Sequence, residues 1–204
     1  MRVLVLGGYG LIGAEITRAL LKDGFKVTGL GRDAGFGRRL LPEADWIGAD
    51  IARLTAPVDW LAHLAGVDAV VNAAGALQDS PRDRLAAVHH MSIVACRDAM
   101  EKIGVRRFVQ ISAVGASVSA STEFMSTKAL GDAVVKASSL DWVIVRPGLV
   151  IGRGAYGGTA LLRMLAGFPL MTPLVHASAR MQTVSIDDVT AAVGAALKGE
   201  VASR

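Results

Sequence analysis

The first thirteen residues constrain the fold more than any other stretch. Met1 to Leu6 is a short apolar run rich in branched side chains, the pattern of a buried parallel strand. It runs directly into Gly7-Gly-Tyr-Gly10-Leu-Ile-Gly13, four glycines in seven positions. A helical pattern follows, with Leu11, Ile12, Ile16, Ala19 and Leu20 at spacings of three and four and Gly24 as the stop. Strand, glycine turn and helix together make a cradle for a pyrophosphate. Glycines let the backbone turn sharply and approach phosphates. The helix N-terminus adds unpaired N–H groups and a partial positive charge. Gly8-x-Gly10-x-x-Gly13 also fits the general dinucleotide fingerprint. Gly7, Tyr9, Gly10, Leu11, Ile12 and Gly13 are therefore candidate cofactor contacts.

A chain of 204 residues suits one domain, here 1–204, with a small substrate-side part at about 152–183. Hydrophobic residues make 52% and charged residues 20%, which excludes a disordered chain. No apolar run reaches the length of a membrane span, and the N-terminus lacks the features of a signal peptide. The single cysteine, Cys96, shares an apolar helical face with Ile93 and Met100. It fits core packing in a reducing cytoplasm. The net charge of +4 comes without a cluster of cations interleaved with aromatics, so nucleic acid is not an expected partner.

The second strand, Phe25 to Gly31, ends at Arg32-Asp33. In a doubly wound sheet this strand end meets the adenosine ribose. An acid there binds the ribose hydroxyls of NAD, whereas an Arg pairs with the 2′-phosphate of NADP. Arg32 comes first, with Arg38 and Arg39 close behind in what reads as a solvated loop, so NADP(H) is favoured and NAD(H) remains possible. A third strand, Ala44 to Ile51, brings Asp50 and Ile51 to the place where an adenine ring would be gripped; Asp50 equally suits a turn cap. After a short helix ending at Gly66, strand four opens into Asn72-Ala-Ala-Gly75. Small residues at Ala73, Ala74 and Gly75 keep that strand end low enough for a cofactor to cross.

Ser80-Pro81-Arg82-Asp83 reads as a helix start. The helix runs to Lys102, stopped by Gly104, with a break near His89-His90. Adjacent histidines face different ways, and with four His and one Cys no metal site is expected. Strand five, Arg106 to Ile111, ends at Ser112, a hydroxyl that either polarises a substrate carbonyl or caps a turn. In the next helix Phe124 and Lys128 stand one turn apart on one face. Leu140 to Ile151 reads as strand six, interrupted in composition by Arg146-Pro147. Gly154 to Gly158 is a candidate lid, Thr159 to Ala166 a short apolar helix, and Pro169 to Pro173 an apolar loop suited to core packing, or else to a partner or a membrane surface. A short strand, Gln182 to Ile186, leads through Ser185-x-x-Asp188 into a last helix ended by Gly199.

Together these stretches resemble the atypical short-chain dehydrogenases/reductases over nearly the whole chain. The carriers are Gly7-x-x-Gly10-x-x-Gly13, Asp50, Asn72-Ala-Ala-Gly75, Ser112, Lys128 with Ala-Leu-Gly-Asp after it, Arg146-Pro147 and Val184-Ser-Ile-Asp-Asp. The nearest branch looks like the nucleotide-binding accessory subunit of respiratory complex I, with NmrA-like proteins and sugar-nucleotide epimerases further off. The resemblance implies an α/β fold, a Rossmann-like doubly wound parallel sheet flanked by helices, with NAD(P) across one edge. It implies catalytic roles for Ser112 and Lys128, a ribose contact for Lys128, and a nicotinamide contact beyond Pro147. The family pairs its Lys with a Tyr one turn earlier, which exchanges a proton as hydride moves. Here that position is Phe124, and Tyr9 and Tyr156 lie out of register. Two functions follow: an NADP(H)-dependent oxidoreductase acting on an unknown small molecule without that Tyr, or a non-catalytic nucleotide-binding module acting through a protein partner or an attached domain. A sugar-nucleotide epimerase is a third, disfavoured by Phe124.

Overall fold

The computed structural model describes residues 1–79, 84–152, 154, 158–167 and 181–203. Six strands, β1 (Arg2–Leu6), β2 (Lys26–Gly31), β3 (Asp45–Gly48), β4 (Ala69–Asn72), β5 (Arg107–Ile111) and β6 (Asp141–Val145), form one sheet. They alternate with α1 (Leu11–Lys22), α2 (Ala34–Leu40), α3 (Pro57–Leu64), α4 (Ser92–Ile103) and α5 (Glu123–Lys136). The sheet order is β3-β2-β1-β4-β5-β6 and every pairing is parallel. The chain winds outward from β1 to β3, then returns to β4 on the other side of β1. That reversal opens a crevice at the carboxyl ends of β1 and β4, where open α/β sheets bind their ligands.

A parallel sheet needs both faces covered, and the two-residue period of β1 shows how this chain does it. Val3 and Val5 pack with Ile16 and Leu20 of α1 on one face. Leu4 and Leu6 pack with Trp60 and Leu64 of α3 and Ile93, Cys96 and Met100 of α4 on the other. A second, two-stranded parallel sheet joins β7 (Leu149–Ile151) to β8 (Thr183–Ser185). It is followed by α6 (Gly158–Ala166) in sequence after β7 and by α7 (Ile186–Lys198) after β8. Ser185 caps α7 by accepting the Asp187 N–H at 3.1 Å, and Gly199 ends it at φ +78°. α7 covers the first face, with Val193 and Leu197 in the same cluster as Val3 and Val5.

Three boundaries differ from those the sequence suggests. Arg38 and Arg39 lie in α2, not in a loop; Asp33 caps that helix by accepting the Phe36 N–H at 2.8 Å. The third strand stops at Gly48, and Asp50 instead caps a 3-10 turn over Ile51–Arg53, accepting the Ala52 N–H at 3.1 Å. The stretch from 140 to 151 is two strands. Pro147 has no N–H to give a ladder, and Gly148 is pressed against the Gln182 carbonyl, which turns the chain from β6 into β7. Near His89-His90, where the sequence suggests a break, Ala87–Met91 forms a π-helical turn that runs into α4. The helix start proposed at 80–83, most of the candidate lid and the apolar segment at 169–173 lie outside the described residues. Among the described residues no helix is long and apolar enough to cross a membrane.

Candidate functional site at the carboxyl edge of the sheet

The glycine turn leaves β1 with Gly7 at φ +70°, a conformation that suits glycine. Its N–H donates to the Leu30 carbonyl at 2.8 Å, and its own carbonyl accepts the Gly10 N–H at 2.9 Å. A β-carbon on Gly7 would come within 2.8 Å of the Ala74 backbone, so the turn and the end of β4 touch. One on Gly13 would run into the Gly7 carbonyl, so α1 starts against the turn with no room for a side chain. Thr17 Oγ1 secures the turn from below, donating to the Gly8 carbonyl at 3.1 Å. The result is a side-chain-free cradle at the N-terminus of a twelve-residue helix, which fits a pyrophosphate. Leu11 and Ile12, in the first turn of that helix, are half-buried.

The strands are parallel, so the other candidate residues fall along the same edge. Arg32 is exposed at the end of β2, and Asp50 and Ile51 follow β3, with Ile51 packed partly against the core. Ala73, Ala74 and Gly75 follow β4. Asn72 shapes their turn, accepting the Ala74 N–H at 3.1 Å and donating to Gln110 Oε1 at 2.9 Å. Ser112 follows β5, and Pro147 follows β6, its carbonyl accepting the Val114 N–H at 3.2 Å.

α5 delivers Lys128 to the ends of β4 and β5. Its Nζ donates to the Ile111 carbonyl at 3.0 Å and lies 3.5 Å from that of Ala74. Burial pushes its pKa down to about 8, opposed by the carboxylate of Asp132 one turn on. Phe124, one turn before, packs edge-on against the His89 ring with centroids 5.6 Å apart. His89 Nε2 accepts the Ala76 N–H at 3.2 Å, which leaves the proton on Nδ1, 2.9 Å from Thr127 Oγ1. Burial first, and Lys128 second, push the imidazole down to about 3, so it is neutral.

Ser112 Oγ donates to Asp132 Oδ2 at 2.8 Å. The same oxygen accepts two hydrogen bonds from Arg146, from Nε at 3.0 Å and Nη2 at 2.6 Å. Asp132 is buried and its Oδ1 has no partner among the described residues. His89, Thr127, Asp132 and Arg146 belong to the site's frame although the sequence did not single them out as site residues. Two of them stood in the sequence as parts of motifs, Asp132 at the end of Lys128-Ala-Leu-Gly-Asp and Arg146 before Pro147, and Asp132 also stands four residues after Lys128, on the same helical face. Among the described residues no three His, Cys, Asp or Glu are grouped to hold a metal. A cleft of about 510 Å³ does occur, but at the opposite edge of the sheet, between the loops before β4 and β5, lined by Leu61, Gly66, Asp68 and Ile103 among others.

Residues 7–167 match the NAD(P)H-binding family. Two curated relatives are a ceramide reductase of Caulobacter vibrioides, 25% identical, and subunit 9 of the NADH dehydrogenase [ubiquinone] 1 alpha subcomplex of Arabidopsis thaliana, mitochondrial, 26% identical. The matches cover 93% and 98% of this chain but 58% and 50% of those proteins, so the chain spans about half the length of the curated relatives it matches. Among solved structures, the Bordetella bronchiseptica enzyme WbmH in complex with NAD+ superposes with a TM-score of 0.78 at 23% identity, over 97% of this chain and 72% of that one. A side-chain-free cradle at a topological switch point, and a family match over most of the chain, lead to one assignment: the chain belongs to the NAD(P)H-binding family, with the Rossmann fold of the short-chain dehydrogenases/reductases.

Proposed function

We propose that the protein is an NADP(H)-dependent oxidoreductase that works without the tyrosine usual in its family. The observation that carries this reading is the alignment of its candidate contacts along one sheet edge, from Asp50 and Arg32 through the glycine turn to Ser112, Lys128 and Pro147. The preference for NADP(H) is supported by Asp33, whose carboxylate is engaged in capping α2, beside an exposed Arg32. Arg32 pairs with the 2′-phosphate, Asp50 and Ile51 hold the adenine, and Ala73, Ala74 and Gly75 leave room for the middle of the nucleotide. Lys128 keeps its third N–H for the nicotinamide ribose. Bound NADPH supplies the hydride. Ser112 orients a substrate carbonyl after turning from Asp132, and the proton comes from water, since Phe124 has none to give and neutral His89 has both nitrogens engaged. The substrate side is the part at about 152–183. Cys96, buried and unpaired, suits a reducing compartment such as the cytoplasm.

Titration of the protein with NADPH and NADH, read by nucleotide fluorescence and thermal shift, tests the cofactor assignment. Tighter NADPH binding that Arg32→Ala abolishes supports it; binding of neither overturns it. Phe124→Tyr, assayed against carbonyl and quinone substrates, then tests catalysis. Restored or increased NADPH turnover supports the oxidoreductase reading.

A non-catalytic nucleotide-binding module is the second reading. It is favoured by the inward-facing Ser112 hydroxyl and by Phe124 itself. Tight nucleotide binding without turnover in either the parent or Phe124→Tyr would select it.

A further inference from the structure

Tyr9 sits in the middle of the glycine turn, yet its side chain does not extend over the cradle. Its ring lies on Gly31 at the end of β2, where any β-carbon would collide with Cε1. It meets Phe36 of α2 edge-on with centroids 5.3 Å apart and leans on Trp46 of β3 at 5.8 Å. Gly29 and Gly37 carry no side chain where Trp46 packs, so three glycines clear space for this aromatic pair. The phenol oxygen accepts the backbone N–H of Asp33 at 2.9 Å. Asp33 in turn spends its carboxylate on the cap of α2. Tyr9 is thus the one described side chain that starts in the phosphate-cradle turn and hydrogen-bonds to the β2–α2 corner.

We propose that Tyr9 is a positioning residue for nucleotide selectivity: its hydrogen bond to Asp33 fixes the corner on which Arg32 stands, and so sets how well Arg32 meets the 2′-phosphate. This rests on the NADP(H) reading above. A charge-assisted Arg–phosphate contact is short and directional, so a corner that drifts loses it, whereas the cradle's backbone contacts persist. The contribution to NADPH binding therefore acts through Arg32, not through the phenol's own contact with the nucleotide.

Tyr9→Phe removes the hydrogen bond and keeps the ring on Gly31, Phe36 and Trp46. Dissociation constants for NADPH and NADH would be measured for the parent, Tyr9→Phe, Arg32→Ala and the double variant. The expected result is an NADPH preference that falls about fivefold or more in Tyr9→Phe through weaker NADPH binding, with NADH binding little changed. In the Arg32→Ala background Tyr9→Phe should then change nothing further, the coupling expected of two residues acting as one. A preference kept within twofold, with only the melting temperature lowered, would make Tyr9 a packing residue and overturn the proposal. So would an equal loss for both nucleotides. A parent protein without any NADPH preference would instead sink the NADP(H) reading itself, before any variant is compared.

Discussion

Ser112 Oγ donates to Asp132 Oδ2 across 2.8 Å, tying the end of β5 to the middle of α5 through a buried carboxylate. Arg146 reaches the same oxygen from the end of β6. One side chain thereby joins three elements at the edge where the site lies.

Replacing that carboxylate should cost folding stability in a graded way. Asp132→Ala leaves the buried Ser112 hydroxyl without its acceptor, a loss of about 1–3 kcal/mol. Arg146 is more than a third exposed and rehydrates, so its ion pair adds little to that figure. Asp132→Asn retains an acceptor oxygen and should lose less. Urea unfolding of the two variants decides the matter: equal losses would mean that the Ser112 contact carries no stability.

Gly13→Ala should abolish nucleotide binding. Its new β-carbon meets the Gly7 carbonyl, backbone against backbone, so the turn must open to accept it. Overpacking of this kind costs about 1–3 kcal/mol. Gly24→Ala is the control: its β-carbon meets nothing within 4 Å, but φ of +82° makes it destabilising by about 1 kcal/mol. Both variants should melt earlier, and only Gly24→Ala should keep the NADPH-induced thermal shift.

His89 should make the protein acid-sensitive. Its folded pKa of about 3 lies below the 6.5 of the unfolded chain. Between those values the unfolded state takes up a proton that the folded state refuses, so stability falls as pH falls from about 6.5. The slope approaches about 1.4 kcal/mol per pH unit for one such group. Chemical denaturation from pH 7 to 4 should show a shallower slope in His89→Gln than in the parent. Parallel slopes would show that the imidazole takes up a proton readily in the folded protein.

Lys128 predicts a different window. Its folded pKa of about 8 lies below the unfolded 10.5, so stability rises with pH between those values and Lys128→Met should flatten that rise. Below about pH 8 the ammonium is charged and stands at the ends of β4 and β5, where the proposed cofactor would lie. NADPH affinity should therefore weaken as pH climbs through about 8 in the parent, and vary much less with pH in Lys128→Met. Fluorescence titrations from pH 6.5 to 9.5 measure both curves.

The strand-turn-helix at the N-terminus was legible because its glycines do local work: each answers a contact within the turn or with the strand beside it. The parallel strands were legible as short branched runs. α2 was not, because Gly35 and Gly37 break a helical pattern, and the space Gly37 leaves is visible only once Trp46 of β3 lies beside it. Strand ends were read too far at Asp50, whose side chain turns the backbone before the apolar pattern runs out. Among the candidate site residues, Ser112 and Lys128 were nominated by their place in a familiar order of elements. Asp132 entered only as the end of the stretch after Lys128, and His89 not as a site residue, since the partners that give them their places, Thr127 for His89 and Ser112 for Asp132, lie 38 and 20 residues away in sequence.

Gly131 bears on how such a site tolerates change over time. Any β-carbon there would strike the His89 carbonyl of the π-helical turn, so α5 and that turn meet main chain to main chain. This backbone approach lies beside the side-chain contacts that also join the two, His89 with Thr127 and with Phe124. Lys128 and Asp132, three residues before and one after, inherit their height above the strand ends from that contact. Exchange of the residue at position 124 leaves this main-chain contact in place, whereas any side chain at Gly131 forces the two backbones apart and moves Lys128 and Asp132 with them.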